Sequence, residues 1–494
     1  VLVIAAFAFA HWDDLRPSPH ASALAWAPGV VALGAIAACQ CLAMLAGRAM
    51  DRGGMRAHDA AQRSSLIGAA LVTMAIGCGV QWWGWDALVR GWIGDVVLVD
   101  EVAIASPLLV TILANWWSLE PLDRRVYDAL FHRRLAEGRA GARRGLRAAR
   151  VLDRARAELL LVLAPMLVLL AWSEGAAWLT RGMLRALGRG DVPNVLGVPL
   201  DELARWLGVP VVIVLGPGLL RWAWRATPLG EGELRGMIAQ MLARYRVRVS
   251  GPLVWHTGSV NAAVLGVMPP MRYLLITDAL LERLDAGEVE SVLAHEIAHV
   301  KHHHLAWLAG AMLAMVLALG WLLELVEVVL AWALHAHAWD AGARVALAAM
   351  HSTGGAGAIA IVTLALALLW FGVVSRRFEW EADAFSAAHC SGVGAIDARG
   401  GASGAIGETG AITPEGARRS AGTLLSVARE NLTPPERPSW RHGSIRVRCE
   451  RILQLADDGP AGDRERRRLR GEGRAIRVFA VAVPMLTLAA ALAG

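Results

Sequence analysis

Long apolar runs alternate with short, arginine-bearing polar stretches along most of this chain. Ala21 to Ala46 is the first run long enough to cross a bilayer as a helix, which takes about 20 apolar residues. Ser65 to about Trp85 and Val96 to Trp117 are the next two, the latter carrying Asp100 and Glu101 near its outer end. Leu159 to Leu179, Leu207 to Trp224, Leu305 to Leu334, Ala343 to Val374 and Ile476 to Ala493 bring the count to about eight, with Pro210 and Pro217 placed to kink the fifth. The opening run from Val1 has only ten apolar residues. It is either a truncated first helix or an interfacial segment, and no cleavable signal is evident.

The pattern changes between the fifth and sixth spans. Thr227 to Ser250 is polar and predicts a helix around Glu231 to Tyr245. Strand-like pieces follow at Arg246 to Val249, Leu253 to His256, Val260 to Leu265 and Arg272 to Thr277. From Asp285 the period returns to helical, with Val289, Val292, Leu293, Ile297 and Val300 on an apolar stripe. Asp285 is the expected N-cap, and Glu288 three residues on completes a capping box. The fold class expected is mainly α: a polytopic helical membrane protein with an α+β domain outside the membrane that contains a small sheet. Its parts are a membrane region 1–224 with a basic loop 118–157, a polar part 225–304, a membrane hairpin 305–374, a second polar part 375–475 and a last span 476–494. Residues 387–415 are Gly/Ala-rich and predict a flexible insert.

Composition supports the membrane reading. The 494 residues are 56% hydrophobic and 19% charged, with a mean hydropathy of +0.44, where soluble domains are nearer a quarter charged. The net charge of +6 does not indicate nucleic acid, because the arginines gather in loops between apolar spans. Those loops instead set topology. Arg48, Arg52, Arg56 and Arg63 follow the first span, and Arg133, Arg134, Arg143, Arg144, Arg147, Arg150 and Arg154 follow the third. Both fall on the cytoplasmic side by the positive-inside rule, and their parity agrees. Everything from Arg225 to His304, and from Ser375 to the last span, is then cytoplasmic, with a bacterial inner membrane as the expected location. The five cysteines contain no CxxC pair, so neither a disulfide framework nor a cysteine metal site is indicated.

The chemistry sits in His295-Glu296-Ile297-Ala298-His299. An i, i+4 spacing sets both imidazoles on one helix face, where they can grip one zinc ion, with Glu296 toward the open side of the metal. Zinc needs a third protein ligand. His302, His303 and His304 continue the helix away from the metal and are expected as a polar cap on the following span. Leu305 stands where a metzincin would have a third histidine. The better candidate lies across the hairpin, in Ser375-Arg376-Arg377-Phe378-Glu379-Trp380-Glu381-Ala382-Asp383. On a helix Glu379 and Asp383 share a face, so Glu379 can ligate while Asp383 orients a ligating imidazole. Glu381 points the other way, to solvent or to an arginine.

HEIAH, a two-span hairpin and then SRRFEWEAD resemble the integral-membrane gluzincins, which comprise the HtpX-type quality-control proteases and the CaaX prenyl endopeptidases. The resemblance implies a gluzincin-type protease domain, one Zn2+ per chain, and Glu379 as the third ligand. Ser259 to Gly266 is similar to the family's substrate-edge strand, whose asparagine falls on Asn261. Trp440 to Ile445 is similar to its late motif, which implies that His442 faces the scissile carbonyl and that Arg448 assists in holding substrate. Gly443 stands where that motif usually has proline.

The function expected is a zinc-dependent endopeptidase, with Glu296 and His442 catalytic, His295, His299 and Glu379 on the metal, Asp383 behind them, and Asn261 and Arg448 at the substrate. Its partners are a polypeptide, membrane-associated or not, and the bilayer. The alternative is a membrane sensor or scaffold that uses the zinc domain for detection. A transporter is a third class, raised by Glu324 and Glu327 within a span.

Overall fold

The computed structural model describes residues 22–52, 56–94, 96, 98–136, 147–188, 192–195, 198–257, 259–335, 344–346, 348, 350, 353–392, 412–431 and 433–493. The opening run from Val1, Arg143, Arg144 and most of the Gly/Ala-rich insert lie outside these residues. The chain divides into two compact units, Val1–Ala226 and Thr227–Gly494.

The first unit is built from long apolar helices: α1 (Ala27–Met50), α2 (Arg56–Cys78), the short α3 (Trp85–Ile93), α4 (Val99–Ala136) and α5 (Arg147–Ala186). A two-residue hairpin, β1 (Asn194–Val195) with β2 (Val198–Pro199), leads to α6 (Leu200–Trp206) and α7 (Gly208–Ala223). Ala32, Val72, Ile76, Trp85, Ile104 and Leu108 close the core where α1 to α5 meet. Asp100 is fully buried and would be costly in a span unless paired; Arg90 reaches it from α3 at 2.8 Å. At the other end of α4, Glu120 and Asp123 take Arg150 and Arg154 of the basic segment at 2.5 and 3.2 Å.

The second unit carries a four-stranded mixed sheet in the order β3 (Thr227–Pro228), β4 (Gly251–Trp255), β6 (Tyr273–Thr277), β5 (Ala262–Leu265). β4 and β6 run parallel; β5 runs antiparallel to β6 with Val264 opposite Leu274. β6 is buried along its whole length, as a central strand of Leu, Ile and Thr should be, and β5 is left at the edge. β5 ends at Gly266, whose φ of +93° allows the backbone to pass Met271. A Cβ at that point would lie 2.2 Å from the Met271 carbonyl oxygen.

Two helices cover the sheet: α8 (Glu233–Arg244) and, after the short α9 (Asp278–Arg283), α10 (Ala286–Lys301). Ile238, Met241, Leu274, Ile276, Leu280, Leu293 and Ile297 form the shared core. The expected strand at Arg246 to Val249 is absent. Arg246 turns left-handed at φ +55°, the Val247 N–H returns to the Leu242 carbonyl at 2.9 Å, and Val247 caps the core beneath α8. That is a Schellman ending with arginine in glycine's usual place.

After α10 come α11 (His304–His335), α12 (Thr353–Cys390), α13 (Pro414–Glu430), α14 (Ile445–Leu455) and α15 (Pro460–Ala493). The ends of the expected insert are therefore helical, inside α12 and α13. Ala311, Val374, Phe378, Ile476 and Ala480 lock α11, α12 and α15 together. Among the described residues seven helices are long and apolar enough to cross a membrane: Ala23–Met50, Ala57–Trp83, Val99–Arg125, Arg147–Ala186, Leu200–Ala223, His304–Ala333 and Pro460–Ala490. The remaining expected span, Ala343 to Val374, falls partly in α12 and partly outside the described residues.

Candidate metal centre

α10 starts where the sequence says it should. The Asp285 carboxylate accepts the Glu288 N–H at 2.8 Å, and Glu288 accepts the Asp285 N–H at 3.1 Å, closing the capping box. The apolar stripe through Leu293 and Ile297 then packs on the sheet and turns His295 and His299 to the opposite side, toward α12.

There the side chains converge. His295 Nε2 and His299 Nε2 are 3.3 Å apart. Glu379 of α12 places one carboxylate oxygen 3.5 Å from His295 Nε2 and the other 3.8 Å from His299 Nε2. Among the described residues these three form the one group able to hold a metal, their ligand atoms all within 4.8 Å of one another. Ligands about 2.1 Å from a tetrahedral zinc sit roughly 3.4 Å apart, so the observed edges fit that ion. The donor set, two imidazoles and a carboxylate, is also that of catalytic zinc sites that keep one position open.

The electrostatics point the same way. Burial disfavours charge on His295, but Asp383 and Glu379 outweigh it and push its pKa up to about 10. Burial and the neighbouring His295 hold His299 well below the ordinary value. Asp383 and Glu379 thus favour positive charge at His295. Glu379 is opposed by burial, yet Arg448 and His295 keep its carboxyl well below the usual range, ready to ligate. Glu296, next on the helix, is pushed up to about 7, chiefly by burial; a hydrogen bond from the Val264 backbone in β5 works against the shift. The edge strand therefore faces the carboxylate of Glu296.

Asp383 lies behind the ligands, its carboxylate 3.1 Å from His295 Nδ1, as the shared face with Glu379 predicts. His442, in the turn before α14, sets Nδ1 2.9 Å from a Glu379 oxygen and leaves almost half of its side chain exposed. Asn261 precedes β5 and is exposed, with its backbone tied to Thr277 by bonds of 3.0 and 2.9 Å.

Two expectations change, and one alternative is settled. Arg448 was expected to touch substrate, but it is buried. Its guanidinium donates to both Asp383 oxygens at 2.8 and 2.6 Å and reaches Glu379 at 3.2 Å, so it faces the back of the ligands. His304 was expected in a polar membrane cap, yet it is 3% exposed. α10 ends at Lys301, His303 turns left-handed at φ +55°, and His304 folds back to lie 2.9 Å from His299 Nδ1. Of the two alternatives for Glu381 the structure takes the arginine: Arg477 lies at 2.6 Å, and the buried carboxylate also faces His304 at 3.2 Å. No glycine marks the turn at His303, so spacing alone could not find this contact. The signal for Arg448 was the pair of acids four residues apart, which needs a buried counter-charge.

Residues 228–399 match the sequence profile of Peptidase family M48. A "Protease HtpX homolog" of Syntrophobacter fumaroxidans (strain DSM 10017 / MPOB) is 24% identical over 163 residues, 31% of this chain and 52% of that protein. One from Helicobacter acinonychis (strain Sheeba) is 28% identical over 74 residues, 15% of this chain and 24% of that protein. The chain thus spans about half the length of the first and about a quarter of the second. The crystal structure of S. mikatae Ste24p superposes with a TM-score of 0.46 at 12% identity, covering 90% of this chain and 100% of that one. Over residues 228–399 the chain is therefore similar to Peptidase family M48, and over shorter stretches to the two HtpX homologs.

Proposed function

We propose that the protein is a zinc-dependent endopeptidase that hydrolyses peptide bonds at a membrane, on its cytoplasmic face by the arginine pattern, with a bacterial inner membrane as the expected location. The observation that carries this reading is the convergence of His295, His299 and Glu379 beside a half-buried Glu296 and an open strand edge.

His295, His299 and Glu379 would hold one zinc ion, which supplies Lewis-acid polarisation of a carbonyl and acidification of water. The peptide lies extended along β5, exchanging main-chain hydrogen bonds with the strand edge, near Asn261. Glu296 takes a proton from the attacking water at its carboxylate and returns it to the leaving amine nitrogen. A pKa near neutrality suits a group that must do both. His442, half exposed, gives its Nδ1 proton to Glu379 and, as the imidazolium, would donate from Nε2 to the carbonyl oxygen as negative charge develops there. Asp383 holds Nδ1 of His295 so that Nε2 faces the metal position. Arg448 neutralises the two carboxylates from behind and does not meet substrate.

The test is Glu296→Gln in the purified, detergent-solubilised protein with an unstructured reporter polypeptide. The variant keeps one zinc per chain and loses cleavage by about 100-fold or more. His295→Ala and Glu379→Ala both lose the metal. Undiminished cleavage by Glu296→Gln overturns the base, and full zinc occupancy in Glu379→Ala overturns the ligand set.

A further inference from the structure

The two imidazoles of the site are not held alike. His295 leans directly on a carboxylate, Asp383, at 3.1 Å, with Arg448 behind it. His299 faces no carboxylate through its Nδ1; that atom lies 2.9 Å from Nδ1 of His304. His304 Nε2 is 3.2 Å from Glu381 Oε2, and the same oxygen accepts from Arg477 Nη2 at 2.6 Å. The His304 ring also stacks on Phe378, centroids 4.5 Å apart and planes 5° from parallel, which fixes its rotation.

Hydrogen-bond bookkeeping gives this chain one direction. If Nε2 of His299 is to be a ligand, Nδ1 carries the proton and donates to an unprotonated Nδ1 on His304. His304 then carries its own proton on Nε2 and donates it to Glu381. Glu381, accepting also from Arg477, stays an acceptor. Every link is satisfied by one set of tautomers, and reversing any link breaks two others. The elements involved converge from four places: the end of α10, the first residue of α11, α12 through Glu381, and the basic-to-apolar junction of α15.

We propose that His304, Glu381 and Arg477 form a positioning chain that fixes the tautomer and orientation of His299 for the metal, a longer counterpart of the Asp383–Arg448 arm on His295. This rests on the zinc reading above. None of the three touches substrate; they act through His299. Groups that orient a ligating histidine in this way are worth about 10- to 100-fold in metal affinity.

The experiment measures zinc affinity by chelator competition, and the visible absorption of the cobalt-substituted protein, for the wild type, His304→Phe and Glu381→Gln. His304→Phe keeps the stack on Phe378 but leaves His299 Nδ1 without its acceptor. It is expected to bind zinc about 10- to 100-fold more weakly and to shift the cobalt bands. Glu381→Gln keeps a neutral acceptor and is expected to show a smaller loss in the same direction. Thermal melts of the metal-free proteins separate a folding defect, and if His304→Phe does not fold, Glu381→Gln decides. Wild-type zinc affinity and an unchanged cobalt spectrum in a folded variant overturn the chain while leaving the zinc site standing. Failure of the wild type to bind zinc overturns the underlying reading.

Discussion

Arg448 concentrates the energetics of the site in one side chain. It is buried against two carboxylates, and its planar fork meets Asp383 through two bonds while a third nitrogen reaches Glu379. Removing one partner of such a buried cluster leaves uncompensated charge, typically at a cost of about 3–5 kcal/mol. Arg448→Met is therefore expected to lower the stability of the metal-free protein by that order in denaturant titrations. Arg448→Lys recovers only part of it, because one ammonium cannot span both acids. At this scale the legible residues were those whose geometry is local. The four-residue spacing of His295 and His299 dictates a shared helix face, and the same spacing in α12 brings Glu379 and Asp383 to one side. The contacts of Arg448 and His304 depend on where distant helices end, and a left-handed histidine at position 303 carries no mark in the sequence.

Helix and strand boundaries followed the strength of their punctuation. The capping box at Asp285 is unambiguous, and α10 begins beside it. The segment Arg246 to Val249 alternates like a strand, yet Arg246 adopts a C-terminal turn so that Val247 can fill the core under α8. β3 escaped notice because two residues carry no period. The edge strand depends on Gly266, and Gly266→Ala must either push back Met271 or unwind the end of β5. Loss of reporter cleavage with zinc binding retained is the expected outcome, read by activity and metal analysis together. A second element-level device joins α8, α10 and α12: His389 sits between Tyr245, at 2.6 Å, and Glu290, at 3.0 Å. Burial holds its pKa below the ordinary 6.5, against the pull of Glu290. Below that value the unfolded chain binds a proton that the folded chain refuses, so stability falls as the pH drops. In His389→Gln the slope of melting temperature against pH between about 7 and 5 should flatten.

Across the whole molecule, hydropathy identified the spans well because a bilayer demands long apolar helices whatever their neighbours. Seven are seen among the described residues, against about eight expected. Orientation is a matter of loop charge, and it yields a direct measurement. A single cysteine at the exposed position 437, in a cysteine-free background, should react with a membrane-impermeant maleimide only after cells are opened. Labelling in intact cells would place the site on the other face. The open edge of β5 bears on what such a site can select. Four residues of strand offer about 13 Å of main-chain donors and acceptors, groups that every polypeptide shares. Pairing with them requires a segment that has given up its own hydrogen bonds, so the quantity sensed is how often a segment is unravelled, more than which residues it contains. Cleavage of a folded substrate should then track the population of its locally open form, and a ligand that stabilises that substrate should protect it by the factor through which it depletes the open state.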